Sequence, residues 1–283
     1  MLNVGLVLAF AGQETMDVVS LAKHAEALGF DSLWLPEHAI IPVHITTPLP
    51  AGTASLEGYK HVPDPFIGLA AAAGATTRLK LGTAVCLVPE RNPIVLAKEV
   101  ATLDMVSGGR FLFGIGAGWL REESEALGVD FPHRWAQTRE YVLAMKALWT
   151  QDQASFAGKY VNCPPSWCNP KPAQKPHPPI LIGGMLPKAM ERVAEYGDGW
   201  LPLNTSVATQ PKDIEAGRKR IESLFRERGR DPSRLEVTLF GCRGDRAEMQ
   251  RWFDAGVTRI LYVLRPESPK ATVERIQKLA ALL

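Results

Sequence analysis

The chain has 283 residues, of which 22% are charged and 46% are hydrophobic, and its formal net charge is +2. This length fits one α/β barrel of about 250 residues or two small domains, and the near-average composition does not indicate disorder. Acidic and basic residues are interleaved, the N-terminus has no basic leader, and no apolar run reaches the roughly 18 residues of a membrane span. We therefore expect a cytoplasmic protein that binds neither nucleic acid nor membranes.

The four cysteines, Cys86, Cys163, Cys168 and Cys242, are scattered, and only the middle two are close in sequence. A zinc site would need a second pair of ligands, which this spacing does not provide. We expect free thiols and no bound metal.

Apolar strand segments alternate with amphipathic helical segments along the chain. In the first unit, Thr15 is predicted to cap a helix that carries Asp17 in its first turn and ends at Gly29. Strands are predicted at 3–10, 32–35, 80–85, 111–116, 179–182, 199–202, 236–240 and 259–263. Helices are predicted near 15–28, 64–77, 93–107, 135–150, 187–196, 211–229, 245–255 and 269–283.

Eight strand–helix pairs of this kind predict a parallel sheet that closes into a single (β/α)8 TIM barrel spanning residues 1–283. An open doubly wound sheet is the alternative, although such folds usually carry an early glycine fingerprint. Active sites of TIM barrels lie at the carboxyl ends of the strands, which we call the mouth of the barrel.

Two connections are too long for simple turns and are therefore predicted to carry function. Residues 39–63 follow the second strand, and residues 151–178 follow the fourth strand and its helix and contain a predicted hairpin at 154–161. We expect both insertions to lie over or beside the mouth and to determine the substrate. Side chains such as Tyr59 and Trp167 in these loops are candidate substrate contacts, but a surface position is the stronger expectation.

The fourth predicted strand ends in three alternate glycines, Gly114, Gly116 and Gly118, followed by Trp119. Bare backbone at the end of a buried strand either admits a bulky flat ligand or relieves crowding inside a barrel, and the motif alone does not decide between them. It differs from the dinucleotide fingerprint, which needs a third glycine where Trp119 stands.

The second predicted strand ends in Glu37 and His38, which places a carboxylate and an imidazole at the mouth. An isolated histidine is often structural, but this position favours a role in catalysis.

Four motifs in register resemble the bacterial luciferase-like flavin and deazaflavin oxidoreductases, most closely the subgroup dependent on coenzyme F420. They are Phe30-Asp31-Ser32-Leu33-Trp34 with His38, Leu81-Gly82-Thr83-Ala84-Val85 with Arg91-Asn92-Pro93, Gly108-Gly109-Arg110-Phe111 with Gly114 to Trp119, and Gly197-Asp198-Gly199-Trp200. The likeness spans nearly the whole chain, and the fold of that family is the barrel predicted above.

The resemblance implies that a flavin or deazaflavin ring lies in the mouth against a bulge at Thr83, Ala84 and Val85, where the Ala84–Val85 peptide is predicted to be cis. It also implies that Gly114, Gly116 and Gly118 let the cofactor approach, and that Glu37 and His38 are the polar pair beside the ring. Gly183 and Gly184, just before a helix, form the best phosphate cradle, although two glycines also suit an ordinary turn.

One departure from the family is Trp119, which stands where the sugar-phosphate dehydrogenases carry an acid–base glutamate. That activity becomes doubtful, and Trp119 is expected either to stack on cofactor or substrate or to cap the barrel core. Glu122 and Glu123 follow on a predicted helix and are expected to be solvated.

The sequence thus predicts an oxidoreductase that uses coenzyme F420 for hydride transfer to or from a small organic substrate. Alternatives are an FMN-dependent monooxygenase and a flavin-binding barrel without turnover. Arg91, Arg121 and Lys188 are predicted as exposed cations for the anionic tail of coenzyme F420. The resemblance also implies a homodimer.

Overall fold

The computed structural model describes residues 2–9, 15–50, 55–185, 187–204 and 209–283. Over these ranges the strands are β1 (Val4–Leu8), β2 (Ser32–Leu35), β3 (Lys80–Thr83), β4 (Cys86–Leu87), β5 (Phe111–Gly116), β6 (Gln153–Ala157), β7 (Asn162–Trp167), β8 (Ile180–Gly183), β9 (Gly199–Leu201), β10 (Glu236–Phe240) and β11 (Arg259–Leu264). The α-helices are α1 (Val18–Ala27), α2 (Pro65–Ala75), α3 (Pro93–Val106), α4 (Arg121–Ala126), α5 (Arg134–Thr150), α6 (Pro187–Tyr196), α7 (Pro211–Glu227), α8 (Arg246–Asp254) and α9 (Pro269–Ala280).

Eight parallel strand positions close into a barrel. The sheet runs β3-β2-β1-β11-β10-β9-β8-β5-β4, and an additional β3–β5 pairing completes the circle. β3 and β4 occupy one strand position, because Ala84 and Val85 interrupt the strand between them. The Ala84–Val85 peptide is cis, as predicted. The predicted TIM barrel is confirmed, and the open sheet is ruled out.

Most predicted elements lie within a few residues of the observed ones, but the first helix begins differently. Asp17, not Thr15, is its N-cap, and its side chain accepts a hydrogen bond from the Ser20 amide at 2.9 Å. The prediction for Thr15 was wrong because aspartate two residues later satisfies the first free amides of the helix. Residue 10, the predicted end of the first strand, lies outside the described residues.

The insertion at 151–178 lies away from the mouth, which corrects the prediction. It joins the end of α5 to the start of β8, so it crosses the opposite end of the barrel, the bottom. The Gln174 side chain there donates to the carbonyl oxygen of Phe111, the first residue of β5, at 2.8 Å. The antiparallel hairpin β6–β7 packs on the flank of α5, where Glu140 accepts the Val161 amide at 2.7 Å.

The same bottom end is held by a buried ion pair. Arg259, at the start of β11, is 2% exposed and donates to Asp31 at 2.6 Å. Lys80 reaches the other oxygen of Asp31 at 3.1 Å. Because these groups sit at the amino ends of the strands, we assign them to stability, not to chemistry.

Inside the barrel, one small apolar cluster faces the mouth. Its buried members are Val7, Trp34, Ala84, Leu112, Leu181, Leu201 and Leu261. Val85, Leu203 and Phe240 pack on this cluster but are only partly buried. These three side chains form an apolar surface at the mouth, which we call the floor.

In the described ranges, no helix is long and apolar enough to cross a bilayer.

Candidate active site

A buried histidine–carboxylate pair stands at the mouth. The Nδ1 atom of His38, three residues beyond β2, lies 2.6 Å from Oε2 of Glu123 on α4, and their side chains are 6% and 1% exposed. Oε1 of the same carboxylate accepts the backbone amide of Ala39 at 2.8 Å. Since a carboxylate in this setting is an acceptor, Nδ1 carries the proton, and in the neutral imidazole Nε2 is left as an acceptor.

Two aromatic rings surround His38. Tyr59, from the insertion after β2, meets the imidazole edge-on with ring centroids 5.0 Å apart, and Trp119 does so at 5.9 Å. The two aromatic rings are themselves 5.9 Å apart. Trp119 therefore belongs to the wall of the site beside His38, and Tyr59 does too, although a surface position was the stronger expectation for it.

Helix α4 holds this wall in place, which corrects the expectation that Glu122 and Glu123 are solvated. Glu122 accepts the Thr47 hydroxyl at 2.7 Å and the Thr47 amide at 3.0 Å, and Thr46 binds the same carboxylate. The Thr46 amide and then the Thr47 hydroxyl stabilise the charged form and hold the pKa of Glu122 well below its usual range. Two successive acidic residues thus anchor the backbone after β2.

Glu37 points away from His38 into a separate ion-pair network. Its carboxylate accepts the Leu87 amide at 2.6 Å and Nε of Arg91 at 2.5 Å. With both oxygens engaged and the residue 7% exposed, Glu37 can brace β4 and the mouth rim, but it presents no free atom for proton transfer.

Arg91 is not the exposed cation that was predicted. Its side chain is 20% exposed and also binds Asp64 at 2.6 Å and Glu99 at 3.3 Å. Burial alone would lower the pKa of Arg91, but the neighbouring Glu37 carboxylate outweighs this effect and raises it. Arg121 pairs with Glu125 at 3.0 Å, and Lys188 is exposed at the start of α6.

The three glycines of β5 and its end have reasons within the protein for lacking a side chain. A Cβ on Gly114 would lie 2.0 Å from the carbonyl oxygen of Thr83, and one on Gly116 would lie 2.7 Å from the Val85 side chain. Gly118 has φ +80° and lies against Glu90. Thr83 is buried and donates its hydroxyl to the Gly114 carbonyl at 2.6 Å. These contacts favour the explanation that the glycines relieve crowding.

The loop predicted as the phosphate cradle is partly engaged. Gly184 has φ +124°, which favours glycine, and its amide donates to the Leu201 carbonyl at 3.2 Å. Gly183 lies beside Val85, with a Cβ position 3.3 Å from that side chain. Pro187 begins α6 and has no N–H, so the first-turn amides available to an anion are those of Lys188 and Ala189.

Glu90, at the mouth rim, is a carboxyl group whose pKa is raised by its surroundings. Burial raises its pKa to about 8, although the Ser124 hydroxyl, which donates to its Oε1 at 2.6 Å, opposes this shift. Oε2 is buried and has no hydrogen-bond partner among the described residues.

Glu123, Glu90 and the floor residues Leu203 and Phe240 were missed by sequence reasoning. Glu123 and His38 are 85 positions apart, so no local spacing links them. Leu203 follows β9, and Phe240 ends β10. Their positions at the carboxyl ends of predicted strands could have indicated both residues.

This arrangement defines a class of site. The site has an apolar floor inside a TIM barrel, with aromatic rings and one oriented imidazole as its wall. Such a site suits a flat ligand, and His38 can exchange a proton with a substrate bound beside that ligand. The luciferase-like monooxygenase family model matches residues 5–278, so the chain belongs to that family of oxidoreductases.

Among curated proteins, the uncharacterised protein Rv0953c of Mycobacterium tuberculosis is 36% identical over 292 aligned positions, covering 100% of this chain and 99% of that protein. The fold is similar to that of the monooxygenase RslO1 from Streptomyces bottropensis, with TM-score 0.78 and 21% identity over 100% of this chain and 98% of the other. It is also similar to an F420-dependent secondary alcohol dehydrogenase in complex with an F420-acetone adduct, with TM-score 0.77 and 20% identity over 98% and 97%.

A third solved structure is the oxygenating constituent of 3,6-diketocamphane monooxygenase from Pseudomonas putida in complex with FMN. It gives a TM-score of 0.67 and 19% identity over 89% of this chain and 70% of the other. Neighbours of this fold thus include both F420-dependent and FMN-containing enzymes.

Proposed function

We propose that this protein is an oxidoreductase that binds coenzyme F420 at the mouth and interconverts a small alcohol and the corresponding carbonyl compound. The single observation that carries the proposal is the His38–Glu123 pair at 2.6 Å, which lies at the same end of the barrel as the apolar floor. The neighbour with an F420-acetone adduct and its secondary alcohol chemistry support this choice of reaction.

The residues present fit a flat tricyclic ring with a phosphate. Val85, Leu203 and Phe240 offer partly buried apolar surface at the same end of the barrel as His38 and Trp119. The first-turn amides of α6 would bind the phosphate, because the positive end of the helix dipole is there. Coenzyme F420, when bound, supplies a two-electron carrier of hydride.

His38 supplies the proton step. When an alcohol is oxidised, its C–H hydride would pass to coenzyme F420, the two-electron oxidant, and Nε2 takes the hydroxyl proton. In the reverse direction, the protonated imidazole returns that proton to the carbonyl oxygen. Glu123 orients the ring and stabilises the imidazolium that forms, while Tyr59 and Trp119 limit water around it.

The test is a titration of the apoprotein with coenzyme F420 and with FMN at equal salt, followed by turnover of secondary alcohols by the wild type and two variants. We expect His38→Ala to lower turnover by about 100-fold or more and to leave the Kd of coenzyme F420 nearly unchanged, because general acid–base catalysis is lost while the floor is intact. Glu123→Gln should preserve binding but shift the pH profile of turnover.

His24→Ala is the matched control, because His24 is exposed on α1 and bonds only the Ser20 carbonyl in its own helix. Equal turnover in His38→Ala would remove the proposed role of His38. Micromolar binding of FMN without binding of coenzyme F420 would replace the proposal with an FMN-dependent monooxygenase.

A further inference from the structure

A cavity of about 360 Å³ opens at the mouth end, next to the proposed cofactor site. It is lined by Asn204, Thr209, Gln210, Pro211, Arg243, Glu248, Arg251 and Trp252. Asn204 follows β9, Arg243 follows β10, and Pro211 begins α7. The cavity therefore sits between the starts of α7 and α8 at the rim of the barrel.

The charge in this cavity is predominantly positive. Both arginines are exposed, and neither forms an ion pair with any carboxylate in the part of the chain that the structure describes. Arg91, Arg121 and Arg259, by contrast, all have carboxylate partners.

One carboxylate lines the cavity. It belongs to Glu248, and its Oε1 accepts the indole N–H of Trp252 at 3.2 Å. This bond holds one of its oxygens within α8, so the lining of the cavity carries two guanidinium groups and one carboxylate.

The cavity and the phosphate end of the proposed cofactor site lie on the same rim of the barrel, at the ends of neighbouring strands. The Gly184 amide binds the Leu201 carbonyl at the end of β9, and the Asn204 amide binds the Phe240 carbonyl at the end of β10 at 2.8 Å. Gly184 follows β8, and the end of β10 lies two strand positions away. Because neighbouring strands are about 4.8 Å apart, this distance is roughly 10 Å.

We propose that this cavity binds the anionic tail that extends beyond the phosphate of the deazaflavin, with Arg243 and Arg251 as its carboxylate-binding residues. The inference rests on the proposed function. The tail carries carboxylates, and guanidinium groups bind carboxylates in a two-pronged geometry. FMN ends at its phosphate and would not reach the cavity.

The experiment compares three probes by fluorescence titration of the full chain: coenzyme F420 with its glutamate tail, the same deazaflavin phosphate without glutamates, and FMN. We expect the wild type to bind the tailed form about tenfold more tightly than the tailless form. The variant Arg243→Gln with Arg251→Gln should lose this difference, and it should bind the tailless form as the wild type does.

The control variant combines Arg220→Gln and Arg226→Gln, which removes the same charge from exposed positions further along α7. It should keep the preference for the tailed form. Thermal midpoints check that all variants fold alike.

Equal binding of the tailed and tailless forms by the wild type would overturn the tail site and leave the proposed function standing. A preference that survives in Arg243→Gln with Arg251→Gln would also overturn it. If the wild type binds neither deazaflavin, the proposed function fails first, and the tail site fails with it.

Discussion

At the scale of single residues, the mouth holds two carboxyl groups that differ in the number of their hydrogen-bond donors. Glu123 accepts hydrogen bonds from two kinds of donor, the His38 imidazole and the backbone amides of Ala39 and Ile40. Glu90 accepts from one donor, Ser124, its Oε2 has no partner among the described residues, and burial raises its pKa to about 8.

The raised pKa of Glu90 predicts how stability varies with pH. The folded state binds this proton more tightly than the unfolded state does, so the Glu90 contribution to stability is present at low pH and is lost as pH rises from about 4.5 toward 8. We expect Glu90→Gln, which imitates the protonated acid and can still accept from Ser124, to raise the thermal midpoint at pH 8 by a few degrees and to leave it unchanged at pH 4.5.

Glu57→Gln serves as the control, because the Glu57 side chain is 71% exposed and pairs only with Lys60. A thermal midpoint for Glu90→Gln that follows the wild type across this pH range would mean that Glu90 is ionised in the folded protein.

At the scale of elements, the six-residue helix α4 fastens the insertion after β2 to the barrel. Glu122 and Glu123 on this helix accept hydrogen bonds from residues 38–47 after β2. Ser124, on the same helix, donates a hydrogen bond to Glu90. Local sequence could not show these contacts, because they join residues 34 to 85 positions apart.

The prediction for this helix concerns Glu122. Replacing Glu122 with alanine removes the acceptor for the Thr46 and Thr47 amides, so we expect amide hydrogen exchange in residues 39–50 to quicken by about tenfold, while the barrel strands keep their protection. Hydrogen-exchange mass spectrometry measures this. The matched variant is Glu125→Ala on the same helix, because the Glu125 side chain is 52% exposed. If amide exchange in residues 39–50 is as fast in Glu125→Ala as in Glu122→Ala, the effect belongs to the helix and not to Glu122.

The strands and helices themselves were predictable from sequence, because each carries its own period of apolar residues. β2, β5 and β10 have the predicted bounds, and Asn92 and Ser268 cap α3 and α9. The site was less predictable: His38 and Val85 lie where strand ends were predicted, but their partners come from distant elements. The placement of 151–178 was an avoidable error, since a segment between a helix and the next strand must return to the bottom.

At the scale of the whole molecule, the outer face of α2 and α3 is unusual for a surface exposed to water. Ile67 on α2 is 75% exposed, and Val95 on α3 is 55% exposed. The other exposed residues of α2 are small: Ala70, Ala71 and Gly74. Met105 and Val106 continue the apolar surface along α3. Small residues allow a helix of a second copy to approach closely, and one self-complementary patch suffices for a two-fold dimer. We propose that this face forms the homodimer interface.

Placing arginine at Ala71 tests the interface, because a long charged side chain would be buried against its own copy. We expect Ala71→Arg to convert the dimer to a monomer in light scattering coupled to size exclusion, with an unchanged far-ultraviolet spectrum. Ala216→Arg, at an exposed position of α7, is the control and should remain dimeric. A wild type that is monomeric would refute the assembly, and a dimeric Ala71→Arg would move it to another face.

The burial of the cysteines has a practical consequence for this barrel. All four are at most 6% exposed, whereas Trp167, at the end of the β6–β7 hairpin strand away from the mouth, is 69% exposed. A cysteine introduced at position 167 would thus be the one thiol that a maleimide reaches readily, and a dye or an electrode tether attached there would leave the mouth facing solution. The molecule can be immobilised in a single orientation without altering any residue of the proposed site.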